Sequence, residues 1–223
     1  MTRDDFKTLV TGMVQDTDGH LTDQDQETSI DLALLRYDQD EPNIFPIDAL
    51  APGGKVMDPP AEYVPGFSKI QAIESPPDQV PPRYIDDGQF AMHQTPLGEK
   101  ILFASDLTAG QPLRLHMAIP HTMDGTGTSI PQHRTEAVAC WAAALQLDQL
   151  ASLFTGDMLP SIQSDSVDHQ SKSRDYAFRA QGRRTRYYQE LGIDPKRNAA
   201  AGVVVSLKRP SALGRARDFL RGI

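Results

Sequence analysis

The stretch PQHRTEAVACWAAALQLDQLASLFT, residues 131–155, decides the fold. It holds no glycine and no internal proline, so nothing in it interrupts a helix. Ala137, Cys140, Trp141, Ala144, Leu147, Ala151 and Phe154 recur at helical spacing, and Val138, Leu145 and Leu150 widen the stripe. A helix apolar over most of its circumference belongs at the centre of a core. Its alanines let neighbouring helices approach closely, and Gly156 is placed to end it. Trp141, set among alanines and leucines, is expected to be buried.

A second helix is expected downstream, from Asp168 to Leu191, closed by Gly192 and the following Pro195. Tyr176, Ala180, Tyr187 and Leu191 share one of its faces. Lys172, Arg179, Arg183 and Arg186 share another, a cationic stripe that is a candidate interface. Residues 193–223 then form an arm. In it GVVVSL (202–207) has the β-branched run of a strand with no partner strand beside it in sequence, followed by a short basic helix. Val203, Val204, Val205, Leu207, Lys208, Arg209, Arg215, Arg217, Phe219, Leu220 and Arg221 are its candidate contact residues. An unpaired apolar strand calls for cover, which another chain supplies by strand addition.

Upstream, residues 1–42 read as a helical pair. Thr2 caps a helix carrying Phe6, Leu9, Val10 and Met13, and Thr22 caps one carrying Ile30, Ala33, Leu34 and Tyr37. The turn between them, DTDGHLTDQD, resembles a calcium loop, but aligning Gly19 with the loop glycine puts Val14 at the first ligand position. From 43 to 131 the texture changes to proline-rich turns around short β-type runs: 68–74, 89–94, 100–104 and 112–119. In the last, Leu113, Leu115, Met117 and Ile119 alternate with Arg114, His116 and Ala118, so one face is buried. With residues 132–192 completing the helical part, the expected class is α+β: a core of about four helices, an inserted small antiparallel β module and an extended C-terminal arm.

The chain has 223 residues and a net charge of −8, and that charge is unevenly spread. Residues 1–60 carry 13 acidic and 4 basic side chains, while residues 168–223 carry 5 acidic and 13 basic. Opposite ends of opposite sign suit copies that meet head to tail. The single Cys140 leaves no internal disulfide and no cysteine metal cluster. No leader is visible at MTRDDFKTL, and no run is read as a membrane span. Synthesis in a cytoplasm and no membrane partner are the expectations.

The run SDSVDHQSKSRDY, 164–176, brings together the residue types of a hydrolase or a metal site. No Gly-x-Ser-x-Gly elbow surrounds Ser166, and residues adjacent at a helix start point in different directions. Asp165 and His169, four apart, are at best two metal ligands, and the other histidines are scattered. Asp165, Ser166 and Asp168 are the residue types that cap a helix and match its dipole, which is the role assigned to them here. No catalytic residue, metal or cofactor is expected.

The Ala-rich helix with its tryptophan, followed by LASLFTGDMLPSIQSDSVDHQSKSRDYAFRAQGRRTRYYQELG, resembles the C-terminal half of head–tail connector (adaptor) proteins of tailed bacteriophages. The resemblance covers residues 130–192, and the two N-terminal helices suit the helical core of that family. The β module is larger than a minimal adaptor carries. The resemblance implies a structural virion neck protein. Its copies form a ring below the portal, matching the portal's usual twelve-fold symmetry. The ring extends the DNA channel and meets a downstream neck or tail protein. Contact with packaged DNA would be non-specific. Another tail or baseplate component is the first alternative; a metal-binding module or hydrolase using Asp165 and His169 is the second.

Overall fold

A computed structural model describes residues 1–156 and 169–195. The chain divides after Leu191 into two units, of which the first is Met1–Leu191. Its described residues form a mixed α+β structure of four α-helices and seven strands in two antiparallel sheets.

Helices α1 (Arg3–Val14) and α2 (Asp23–Asp40) start on the same device. Thr2 Oγ1 accepts the Asp5 amide at 3.3 Å, and the Asp5 carboxylate accepts the Thr2 amide at 2.9 Å. Thr22 and Asp25 repeat the exchange at 3.2 and 3.0 Å. Each box satisfies donors that a helix start leaves open. These bonds hold both carboxyls below the usual aspartate range: chiefly the Thr2 amide bond for Asp5, and first the Thr22 side-chain bond for Asp25. Arg3 and Lys7 then tie α1 to α2, Arg3 through Glu27 and Asp31, Lys7 through Asp23 and Glu27.

The run at 131–155 opens with a 3₁₀ turn, Gln132–Arg134, before α3 (Thr135–Gly156). Its partner α4 (His169–Leu191) packs along it, and α1 and α2 pack against it too. Ala137, Ala139, Ala142, Ala143 and Ala144 are all buried, so α3 meets neighbours on nearly every side at backbone distance. Phe6, Val10 and Val14 of α1, Ile30, Ala33 and Tyr37 of α2, and Ala180 and Tyr187 of α4 complete that core. By length and composition the segment Gln132–Thr155 is apolar enough to cross a membrane, which corrects the expectation of no such run; 67% of its apolar 18-residue stretch is buried inside this fold, as in a core helix.

The module between α2 and α3 is a pair of facing sheets. One has the order β1 (Asn43–Leu50), β7 (Pro112–Ile119), β3 (Lys69–Glu74), β4 (Tyr84–Ile85). The other has the order β2 (Gly54–Met57), β6 (Gly98–Leu107), β5 (Phe90–Thr95). Their inner faces close on Ile73, Leu113 and Leu115 from the first and Met57, Ile101 and Phe103 from the second. Along β7 the expected alternation holds from Leu113 to Met117 and then breaks: Ala118 is buried and Ile119 only half-buried. β1 is a strand the sequence reading missed, because Pro46 in its middle argues against one. It is an edge strand, where proline is tolerated.

Candidate functional site

The cationic stripe of α4 is not a free face. Arg179 Nη2 donates to the Val14 carbonyl at 2.7 Å and lies 3.5 Å from that of Met13; Arg183 Nη2 reaches Met13 O at 3.3 Å. These are C-terminal carbonyls of α1, which has no basic residue in its own last turn. Two arginines from a different helix supply the cations that a helix C-terminus favours. Arg186 pairs with Glu136 at 3.0 Å and Glu190 at 3.2 Å, and Lys172 lies over the Phe154 ring at 5.4 Å. Of the candidate interface, Arg179 and Arg183 are thus turned to internal work, while Lys172 and Arg186 stay exposed. Spacing showed the stripe; it could not show that α1 ends beneath it.

Trp141 corrects a second expectation. It is half-buried at the margin of the helical core. Its ring lies 4.8 Å from Tyr187 and 5.7 Å from Tyr188, with Arg36 above it at 5.3 Å and Arg184 at 5.9 Å. Arg36 in turn grips Asp40 with two bonds, at 2.8 and 3.1 Å, and Tyr187 donates to the same carboxylate at 2.7 Å. Burial first, then that carboxylate, pushes the Tyr187 phenol well above its ordinary range. Arg184 pairs with Asp148 on α3. The tryptophan is capped by cations that α2 and α4 hold in place, which explains why it stops short of full burial.

A Ser–His contact occurs where no spacing signals one. His121 Nδ1 lies 3.1 Å from Ser129 Oγ, and Nε2 lies 3.2 Å from the Glu41 carbonyl. A carbonyl only accepts, so Nε2 carries a proton, and in the neutral ring Nδ1 is then left to accept from Ser129. The arrangement is that of a hydrolase dyad, but its surroundings assign it to the joint between β module and helices. Ser129 Oγ also accepts the Thr122 amide at 2.8 Å. Asp38 bonds the backbone amide of His121 at 2.7 Å rather than its ring. The Tyr37 ring lies tilted against that of His121 at 4.8 Å, and Arg134 links Glu41 of the α2 end to the Glu190 carbonyl at the α4 end. Burial raises the Asp38 carboxyl, opposed by the His121 amide bond.

Among the described residues no three His, Cys, Asp or Glu side chains gather to hold a metal ion. One groove, of about 550 Å³, runs between the starts of α1 and α3 and is lined by Met1, Leu9, Ile130, Thr135 and Glu136 among others. Another, of about 510 Å³, lies at the end of the two sheets, where Tyr84, Ile85, Leu107, Arg83, Asp86 and Asp106 meet. Cys140 is buried on α3, and burial pushes its thiol up, away from reactivity. Asp165, Ser166 and Asp168, and the arm residues Val203, Val204, Val205, Leu207, Lys208, Arg209, Arg215, Arg217, Phe219, Leu220 and Arg221, lie outside the described residues. No protein-family model matches the chain, and no curated protein matches it in sequence.

Proposed function

We propose that the chain is a structural protein of a tailed-bacteriophage neck, forming a ring below the portal and joining capsid to tail. The observation that carries the proposal is the long antiparallel pair α3–α4, on which the adaptor-like run 130–192 falls, in a chain with strongly polarised charge. Residues 1–191 carry 28 acidic and 15 basic side chains, and residues 192–223 carry 2 and 7. Such a chain attracts copies of itself head to tail, and a head-to-tail contact that closes makes a ring. The partners in this reading are the portal, further copies of the chain, a downstream neck or tail protein, and packaged DNA through its phosphates alone.

The test is co-sedimentation of the purified chain with the portal protein encoded in the same genome, with negative-stain images of the product. Rings seated on the portal are expected. Failure to bind the portal, with binding instead to tail tube or baseplate assemblies, would replace this reading with that of a tail component.

A further inference from the structure

Among the described residues the two sheets leave four open edges, and three of them are blunted. Along β1 the Ala51 amide bonds to the Gln111 carbonyl at 2.9 Å. Pairing alternates in an antiparallel ladder, so Ala49, Ile47 and Phe45 face β7, and Ile44, Pro46, Asp48 and Leu50 turn their backbone outward. Pro46 removes an outward N–H from the middle of that edge. β2 carries a register shift between Gly54 and Val56, and β4 is two residues long. β5 differs. The Ala104 amide bonds to the Gln89 carbonyl at 2.8 Å, so Ala91, His93 and Thr95 face β6, and Phe90, Met92 and Gln94 present N–H and C=O groups to the open side. No proline, bulge or Lys guards this edge. Proteins that manage their other edges this carefully leave one open where a strand is to be added.

We infer that the open edge of β5 takes residues 202–207, GVVVSL, of a second copy of this chain as an added antiparallel strand. The run matches the six residues of β5 in length and is β-branched at its centre. Direction follows from charge. An antiparallel strand brings Lys208 and Arg209 beside the start of β5, where Asp86, Asp87 and Asp106 are exposed and carry no ion pair among the described residues. A parallel one would bring them to the hairpin at the other end, where Glu99 is already engaged by the Tyr63 hydroxyl. The contact joins different surfaces of two copies, the type that propagates into a ring. It does not depend on the neck assignment.

Sedimentation velocity of the full chain decides. The wild type should form species heavier than the 24.6 kDa monomer as concentration rises. Gln94→Pro removes an outward N–H while leaving the β6 ladder intact, and Val204→Asp spoils the donated strand. Each alone should weaken association by about tenfold or more, as expected when a cross-strand bond is lost and a partner left unpaired. Mixed in equal amounts, the two should recover a dimer, since one supplies an intact strand and the other an intact edge. Asp86→Lys with Asp87→Lys should weaken association too and be rescued by Lys208→Glu with Arg209→Glu; this pair decides alone if Gln94→Pro does not fold. A wild type that stays monomeric up to about 0.1 mM, single variants that associate like wild type, or a mixture that stays monomeric would each overturn the inference. Portal binding is a separate readout, so this contact and the neck assignment can fail independently.

Discussion

Arg179→Ala tests whether the α4 arginines serve the fold or an external ligand. The guanidinium is half-buried, bonds the Val14 carbonyl at 2.7 Å and lies 5.7 Å from the centroid of Tyr176. A hydrogen bond to a charged donor contributes about 1.5–3 kcal/mol, and a cation at a helix C-terminus about 0.3–1 kcal/mol, partly the same interaction counted twice. A loss of about 2 kcal/mol is therefore expected, or about 4–8 °C in Tm for a chain of this size. Arg183→Ala should cost less, since its bond to the Met13 carbonyl is longer at 3.3 Å. The double variant should fall short of the sum, because both arginines approach the Met13 carbonyl. Arg174→Ala, exposed on the same helix, should stay within about 0.5 kcal/mol. Urea unfolding followed by circular dichroism measures all four. If Arg179→Ala and Arg174→Ala are equally stable while both lose DNA or portal binding, the clamp on α1 is not what Arg179 is for.

Trp141→Ala should cost less than the roughly 3–5 kcal/mol of a fully buried tryptophan, and iodide should quench its fluorescence partly, neither freely nor not at all. Asp38 has a raised carboxyl pKa, so the folded state holds that proton more tightly than the unfolded chain, and its contribution to stability falls as pH rises from the ordinary carboxylate range through the raised folded value. Asp38→Asn keeps an acceptor for the His121 amide and removes this loss; its stability relative to wild type should rise with pH across that window in urea titrations, and a pH-independent difference would refute the assignment. Cys140 should resist a thiol reagent in the native protein and yield one reactive thiol per chain in denaturant; fast native labelling would contradict its burial.

The helical half was legible because its signals are local. Thr2 and Thr22 stand three residues before Asp5 and Asp25, and each pair makes the box its spacing predicts. The apolar stripe of 135–156 needs no knowledge of neighbours to be read as a core helix. The strands were legible where their own residues signal one: β7, central in its sheet, shows its alternation and the edge strand β5 its β-type run, while the edge strands β1 and β2 show neither. β1 has five exposed positions out of eight, a pattern a sequence reader takes for a loop. The Ser129–His121 contact was illegible for a different reason. It depends on Glu41, 80 residues from His121, turning one ring nitrogen into a donor and leaving the other to accept. No spacing rule reaches across that separation.

The same limit governs the charges. Read along α4, Lys172, Arg174, Arg179, Arg183, Arg184 and Arg186 make one basic helix suited to a polyanion. Read in the fold, Arg179 and Arg183 close α1, Arg184 pairs with Asp148, Arg186 pairs with Glu136 and Glu190, and Lys172 covers Phe154. A cation already bonded to a buried carbonyl gives up that bond to meet a phosphate, so it adds little to affinity. The other candidate cations are Arg174, exposed on α4, and the seven Lys and Arg of residues 196–221, which lie outside the described residues. If DNA is contacted, the salt dependence counts them: log K falls against log salt with a slope of about −0.9 per phosphate neutralised on duplex DNA. Neutralising Arg215, Arg217 and Arg221 together should flatten that slope by up to about 3, and neutralising Arg179 and Arg183 should leave it unchanged while lowering stability. The opposite pattern would return the binding surface to α4 and leave the closure of α1 to be explained by other contacts.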